Sequence, residues 1–117
     1  MDKVTIWHNP RCSKSRNSLA LLEERGVEAE VVKYLDEVPT KEELKNMLSM
    51  LGMSSARELM RTKEDIYKEL NLAEENLEEK LLDAMIENPK LIERPIVIKG
   101  NRAAIGRPIE KIIELLD

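Results

Sequence analysis

The sequence predicts an α/β fold, a mixed β-sheet with a helical insertion between its second and third strands. Short β-branched runs stand near both ends of the chain: Val4 to Trp7 and Val27 to Leu35, then Leu91 to Ile98 and Arg102 to Ile105. Between them, Thr40 to Asn88 repeats its apolar residues at helical spacing. A helical pattern separates the first two strands, which makes a βαβ unit with a right-handed crossover and a parallel pair. Only Gly100-Asn101 separates the last two, which makes a hairpin and an antiparallel pair.

Taken in order, Val4 to Trp7 reads as a buried strand, and a helix carrying Leu19, Leu21 and Leu22 runs on to Glu24. Gly26 stands where that helix stops. Val27 to Leu35 is the second strand, and Asp36 to Pro39 breaks the pattern. Thr40-x-x-Glu43 is a capping box ahead of Leu44, Met47, Leu48 and Leu51, with Gly52 closing that helix. Ser55-x-x-Glu58 repeats the box before a short helix with Leu59, Met60 and Arg61, and Thr62 is expected to cap a further turn reaching Tyr67 and Leu70. Asn76-x-x-Glu79 should open a helix that turns Leu81, Leu82, Met85 and Ile86 inward and stops at Asn88-Pro89. The methionine and leucine stripe of this insertion, about 40–88, is read as core and not as a binding groove. After the hairpin, Pro108 suits the first turn of a closing helix with Ile109, Ile112, Ile113 and Leu116 on one face.

At 117 residues the chain is expected to form a single domain, 1–117, with a hydrophobic core of its own. No apolar run approaches the ~20 residues of a membrane-spanning helix, and Met1-Asp2-Lys3 leads into a strand without a signal-peptide core. One cysteine allows no intrachain disulfide and suits a reducing cytoplasm. With one Cys and one His, a structural zinc site lacks its usual ligands, so no metal is expected. Mild acidity, a net charge of −4 and 3% aromatic residues argue against a nucleic-acid surface. What remains is sulfur chemistry.

Both the cysteine and the histidine sit in His8-Asn9-Pro10-Arg11-Cys12-Ser13-Lys14-Ser15-Arg16-Asn17. A strand ending before Cys12 and a helix beginning after it place the sulfur at a helix N-terminus, where orphan backbone N–H groups favour a thiolate and attract anions. Arg11, Lys14 and Arg16 surround it, and no Asp or Glu occurs between Asp2 and Glu23. Composition alone leaves two readings open, an inert buried thiol beside a solvated positive loop and a nucleophile. Ser15 at the second cysteine position excludes a Cys-x-x-Cys pair, and Ser18, six residues after Cys12, excludes a phosphatase loop.

His-Asn-Pro-x-Cys-x-x-Ser-Arg-Asn resembles the active-site loop of the glutaredoxin-linked arsenate reductases. Val32-Lys33-Tyr34-Leu35, Ala56 to Arg61, Leu70-Asn71-Leu72, Glu93-Arg94-Pro95-Ile96-Val97 and Gly106-Arg107-Pro108 are similar to family segments in the same order. The resemblance implies a thioredoxin-like fold with a cis Pro95. It also implies that Cys12 attacks arsenate, that Arg61, Arg94 and Arg107 hold the oxyanion, and that Asn9, Ser15 and Arg16 support the loop. Glutathione, as co-substrate and not a bound cofactor, then joins the arsenic, and glutaredoxin supplies the reducing thiol. With no second cysteine in the chain, electrons must come from an outside thiol. His8 is expected to tune the thiolate by charge or hydrogen bond, or else simply to pack at the strand end; Ser15 is expected to donate to the sulfur or to cap the helix. Arg57 and Arg102 are left out of the set, and Arg57→Ala is expected to be nearly silent. The competing readings are a glutathione-dependent thiol reductase and a non-enzymatic regulator resembling the Spx proteins, which usually carry Cys-x-x-Cys.

Overall fold

A computed structural model describes residues 3–117; Met1 and Asp2, read above as the lead into the first strand, lie outside the described residues. The chain gathers into two compact units. One takes the chain up to Glu37 and again from Arg94 to Asp117, and the other is Val38–Glu93. The expected helical insertion falls within the second.

In the first unit β1 (Val4–Trp7), α1 (Ser13–Glu24), β2 (Ala29–Val32), β3 (Ile96–Lys99), β4 (Arg102–Ile105) and α5 (Glu110–Leu116) build a mixed sheet in the order β2-β1-β3-β4. β1 runs parallel to β2, with Ile6 opposite Val31, and antiparallel to β3, with Ile6 opposite Val97. β3 and β4 form the hairpin, Lys99 facing Arg102 across Gly100-Asn101. This is the thioredoxin-like arrangement. Val4, Ile6, Leu22, Val97, Ile112 and Leu115 form its buried core, so α1, the two central strands and α5 meet at one cluster. Each fully buried leucine or isoleucine there contributes about 1.5–3 kcal/mol over an exposed one.

The second strand is shorter than the expected 27–35, for reasons visible at both ends. Gly26 takes a left-handed φ of 70°, and the N–H groups of Gly26 and Val27 return to the carbonyls of Glu23 and Leu22, so Val27 belongs to the end of α1. Beyond Val32, the N–H groups of Asp36 and Glu37 both bond to Lys33 O, which turns the chain. The third strand was expected from Leu91 but starts at Ile96. Leu91 closes a 3₁₀ turn over Pro89–Leu91, and Pro95, lacking an N–H, cannot donate to the ladder. The Arg94–Pro95 peptide is cis, as expected, and so is Arg107–Pro108. Pro108 lies ahead of α5 rather than in its first turn, with Ile109 as the N-cap. The deeply buried residues of that helix are Ile112 and Leu115, so the inward face is rotated from the expected one.

The second unit holds α2 (Lys41–Leu51), α3 (Asp65–Glu69) and α4 (Glu78–Glu87), with 3₁₀ turns at Ala56–Leu59, Leu72–Glu74 and Pro89–Leu91. Most of its methionine and leucine stripe is core: Leu44, Met47, Leu59, Leu81, Met85 and Leu91 are fully buried, whereas Leu70 and Leu77 are exposed. Ile86 is only half-buried, and Ala84 takes the inward place. The Thr40 capping box forms in full, Glu43 N donating to Thr40 Oγ1 and Thr40 N to Glu43 Oε1. The Ser55 box forms as well, but it opens a 3₁₀ turn that ends at Leu59. Met60 leaves that turn to form an isolated antiparallel bridge with Ile92. Thr62 is not the cap of α3; Glu64 occupies that place. The Asn76 box does not form either. Glu79 is engaged by Lys41 and Lys45 of α2, Glu78 accepts from Ser55 Oγ and Ala56 N, and α4 starts after Leu77 with no side-chain cap.

Arg57, set aside from the sequence as a bystander, organises this unit. Its guanidinium donates to the carbonyls of Leu72 and Glu75 and to Tyr67 Oη. Arg57→Ala should therefore destabilise the protein by about 1.5–3 kcal/mol, the usual loss for charge-assisted bonds to partly buried acceptors. Urea unfolding of the two proteins, compared at equal m-value, checks this structural role, which leaves the expected silence in activity untouched.

Candidate active site

The loop between β1 and α1 is held by its own short-range bonds. His8 N extends the β1–β2 ladder to Val32 O, so the loop leaves the sheet from a fixed point. Asn9 then shapes the turn: its carbonyl accepts from Cys12 N at 3.0 Å, and its Oδ1 accepts from Arg11 N at 3.0 Å. Arg16 Nη1 donates to Pro10 O at 2.9 Å, which ties the first turn of the helix back over the loop. Arg16 thus helps to hold the loop in place.

Cys12 is the N-cap residue of α1 and is 8% exposed. The first N–H used inside the helix is that of Arg16, to Cys12 O, so the amides of Ser13, Lys14 and Ser15 have no carbonyl within the helix. No acidic residue occupies the first turn. The expected placement of a sulfur at a positive helix end is therefore realised, with the dipole and the exposed Arg11, Lys14 and Arg16 of one sign.

Ser15 and His8 form a buried pair next to it. His8 Nδ1 and Ser15 Oγ are 2.8 Å apart, and the same hydroxyl accepts from Asn9 N at 3.0 Å. Either imidazole tautomer leaves both groups partnered. Ser15 thus fastens the loop backbone to α1. Burial first, then the charges of Lys33 and Arg16, push the His8 pKa below its ordinary 6.5, so the ring is neutral near pH 7. Of the ways in which His8 was expected to act, the geometry is that of a neutral hydrogen-bonding partner, directed at Ser15.

The second side of the site comes from the far end of the same unit. Arg107 Nη2 donates to Cys12 Sγ at 3.2 Å, and Arg107 Nε donates to Arg94 O at 2.7 Å. Two of the sequence-selected arginines and the cysteine are thereby brought together, although Arg94 makes this link through its carbonyl, which no side-chain pattern reveals. Its guanidinium Nε is buried. Arg61 belongs to the second unit, where Glu64 at 3.1 Å and Glu93 at 3.8 Å match its charge. Among the described residues no group of His, Cys, Asp and Glu is arranged to hold a metal, and no helix is long and apolar enough to cross a membrane.

The model of the ArsC family matches residues 7–115. The chain is 58% identical to YfgD, an uncharacterized protein of Escherichia coli (strain K12), over 97% of each chain. It is 55% identical to an arsenate reductase of Neisseria meningitidis, covering 99% of this chain and all of that one. The fold superposes on the structure of an arsenate reductase from Vibrio cholerae with a TM-score of 0.93, at 51% identity over 97% of each chain.

Because the folded-state pKa of His8 lies below the unfolded 6.5, the unfolded chain binds the extra proton first as pH falls. Stability contributed by the neutral ring is complete above the unfolded value and is lost as pH drops from 6.5 toward the folded value. Urea unfolding at pH 7.5 and 5.5 should show the wild type losing more stability on acidification than His8→Gln. Equal losses would mean that the ring protonates freely in the folded state.

Proposed function

The chain belongs to the ArsC family, and from that premise we propose that it reduces arsenate to arsenite through a covalent intermediate on Cys12. The observation that carries the reading is the Arg107 guanidinium on the Cys12 sulfur at a helix N-terminus, in a chain with one cysteine. A cation on the sulfur stabilises the thiolate, which is the attacking form. Attack on arsenate forms a sulfur–arsenic(V) bond, and one arsenate oxygen leaves as water with the protons taken up. Like charges oppose this encounter, so the positive groups must serve both the thiolate and the oxyanion. The guanidinium of Arg107, the side chain of Arg94 and the first-turn amides of α1 are the groups that supply this charge.

With no resolving cysteine, the two electrons come from outside. Glutathione adds its sulfur to the arsenic, displacing a second oxygen as water. The glutaredoxin thiolate then attacks the glutathione sulfur, so a mixed disulfide leaves and arsenic(V) becomes arsenic(III). Hydrolysis frees arsenite and returns Cys12. A reducing cytoplasm is the compartment in which this cycle runs. We assign Arg61 no step in it.

Arsenate-dependent NADPH oxidation, with glutathione, glutathione reductase and glutaredoxin supplied, tests the proposal. Turnover should require Cys12 and every component. No turnover in the full mixture would favour the thiol reductase or the Spx-like regulator, whereas turnover without glutathione and glutaredoxin would overturn the electron source.

Arg107→Ala should lower kcat/KM roughly ten- to a hundredfold, since a lost charge-assisted bond costs about 1.5–3 kcal/mol. Arg107→Lys should recover only part of this, because one ammonium cannot span Cys12 Sγ and Arg94 O in the manner of the planar fork. Arg94→Ala leaves the carbonyl that orients Arg107, so its loss in kcat/KM reads the Arg94 side chain alone. Steady-state kinetics of the three variants check these outcomes.

A further inference from the structure

Gly106 is buried between β4 and Arg107, and its φ is not among the positive ones, so the backbone conformation does not demand glycine there. Space does. A Cβ on this residue would stand 2.6 Å from Ser18 Oγ, 2.6 Å from Ile112 Cδ1 and 2.9 Å from Pro95 Cγ. Three segments of the chain thus close on one hydrogen-sized position, so a methyl there forces a shift, and the buried Pro95 ring is the neighbour least able to give. Gly106 N also donates to Pro95 O at 2.9 Å, which anchors the segment one step beyond the Ile96–Ile105 pair.

Ser18 explains the α1 side of this contact. It is fully buried, and its hydroxyl has no hydrogen-bond partner among the described residues. The residue therefore serves by being small. Along the inward face of α1 the buried residues run Ser15, Ser18, Leu22, with the small ones toward the Cys12 end. The chain that follows β4 can lie against the helix only where those small side chains are. Its next residue, Arg107, is the one that reaches Cys12 Sγ and Arg94 O.

The geometry points to Gly106, seated against Ser18, as the positioning residue for Arg107: the contact without a Cβ sets the distance at which the guanidinium meets the Cys12 sulfur. This deepens the reaction proposed above and rests on that reading for its consequence in turnover, but the positioning itself is a property of the folded chain. An added methyl at residue 106 must move the segment away from α1, and Arg107 moves with it. Enlarging Ser18 does the same from the opposite side, whereas Ser18→Ala removes a hydroxyl that nothing uses.

The Nε–H resonance of Arg107, identified by its disappearance in Arg107→Lys, reads the bond to Arg94 O without reference to arsenate. In wild type and Ser18→Ala it should be protected from solvent exchange. In Gly106→Ala and in Ser18→Val it should move to the position of a solvated arginine and exchange at least tenfold faster, while the β3–β4 amide signals stay in place. Cys12 alkylation by iodoacetamide should change in Gly106→Ala in the same direction as in Arg107→Ala, and the double variant should differ from Arg107→Ala by less than twofold. Where Gly106→Ala does not fold, Ser18→Val and the milder Ser18→Thr read the same contact. A folded Gly106→Ala or Ser18→Val with the Nε–H signal unmoved, or effects on alkylation that multiply with Arg107→Ala, would overturn the assignment. Failure of arsenate turnover alone would instead touch the proposed reaction and leave this result standing.

Discussion

At the centre of the candidate site is the hydrogen bond from Arg107 Nη2 to Cys12 Sγ, between the two chain segments of the first unit. Much of the unit's local architecture is arranged so that this contact exists. The sulfur is set by β1, which ends at a ladder bond from His8 to Val32, and by α1, whose N-cap is Cys12 itself. The guanidinium is set by the β3–β4 hairpin, the Gly106 seat and the Arg94 carbonyl. Neither group can be placed by its own element alone. The Cys12 loop leaves the end of β1 just beyond Trp7, and β4 ends at Ile105 at the same end of the sheet, since Trp7 and Ile105 both lie opposite Ile96. The thioredoxin-like sheet therefore acts as a gauge between two segments that are far apart in sequence.

Electrostatics around the sulfur are one-sided by design of the local sequence. The first turn of α1 carries no acid, the loop carries Arg11, Lys14 and Arg16, and Arg107 arrives from the other end. His8 might have been counted with these cations from sequence, but burial and the neighbouring Lys33 and Arg16 keep it neutral. That neutrality follows from the rest: a buried ring among cations has no anion to support its own charge. Its work is mechanical. Through Ser15 it fixes the loop amide of Asn9, and the positive groups are left to those that remain charged at any neutral pH.

What the chain disclosed in advance was local, and what it withheld was long-range. Val4–Trp7, the helix start at Cys12, the Gly26 and Gly52 stops, the Thr40 box and the Gly100-Asn101 hairpin all depend on residues within a few positions of one another. The Asn76 box had the same local credentials and did not form; Glu79 pairs instead with Lys41 and Lys45, and Glu78 accepts from Ala56 N, both partners distant in sequence. The third strand was drawn too long because Leu91 and Ile92 are apolar for another purpose, the end of a helical unit and its bridge to Met60. In the site, the helix start at Cys12 and its loop were legible, and the structure brings Arg107, held by the Arg94 carbonyl, to that sulfur. The means of that meeting was not legible. A carbonyl acceptor has no residue type, and a glycine needed for space looks like one needed for a turn.

The recess around the sulfur bears on the electron source. Cys12 is 8% exposed, while Arg11, Ser13, Lys14 and Arg16 around it are open to solvent. A second thiol meeting the sulfur directly would have to enter that recess past charged side chains. In the proposed reaction the arsenic centre would stand one bond beyond the sulfur, so the incoming thiol would not have to reach the buried atom itself. The covalent adduct in the proposed reaction is then more than a way of activating arsenate. In that reading it would move the reducible atom one bond away from the buried sulfur and so ease the approach of an outside thiol. A buried lone cysteine and an external reductant, which look ill-matched in a list of residues, become two parts of one arrangement.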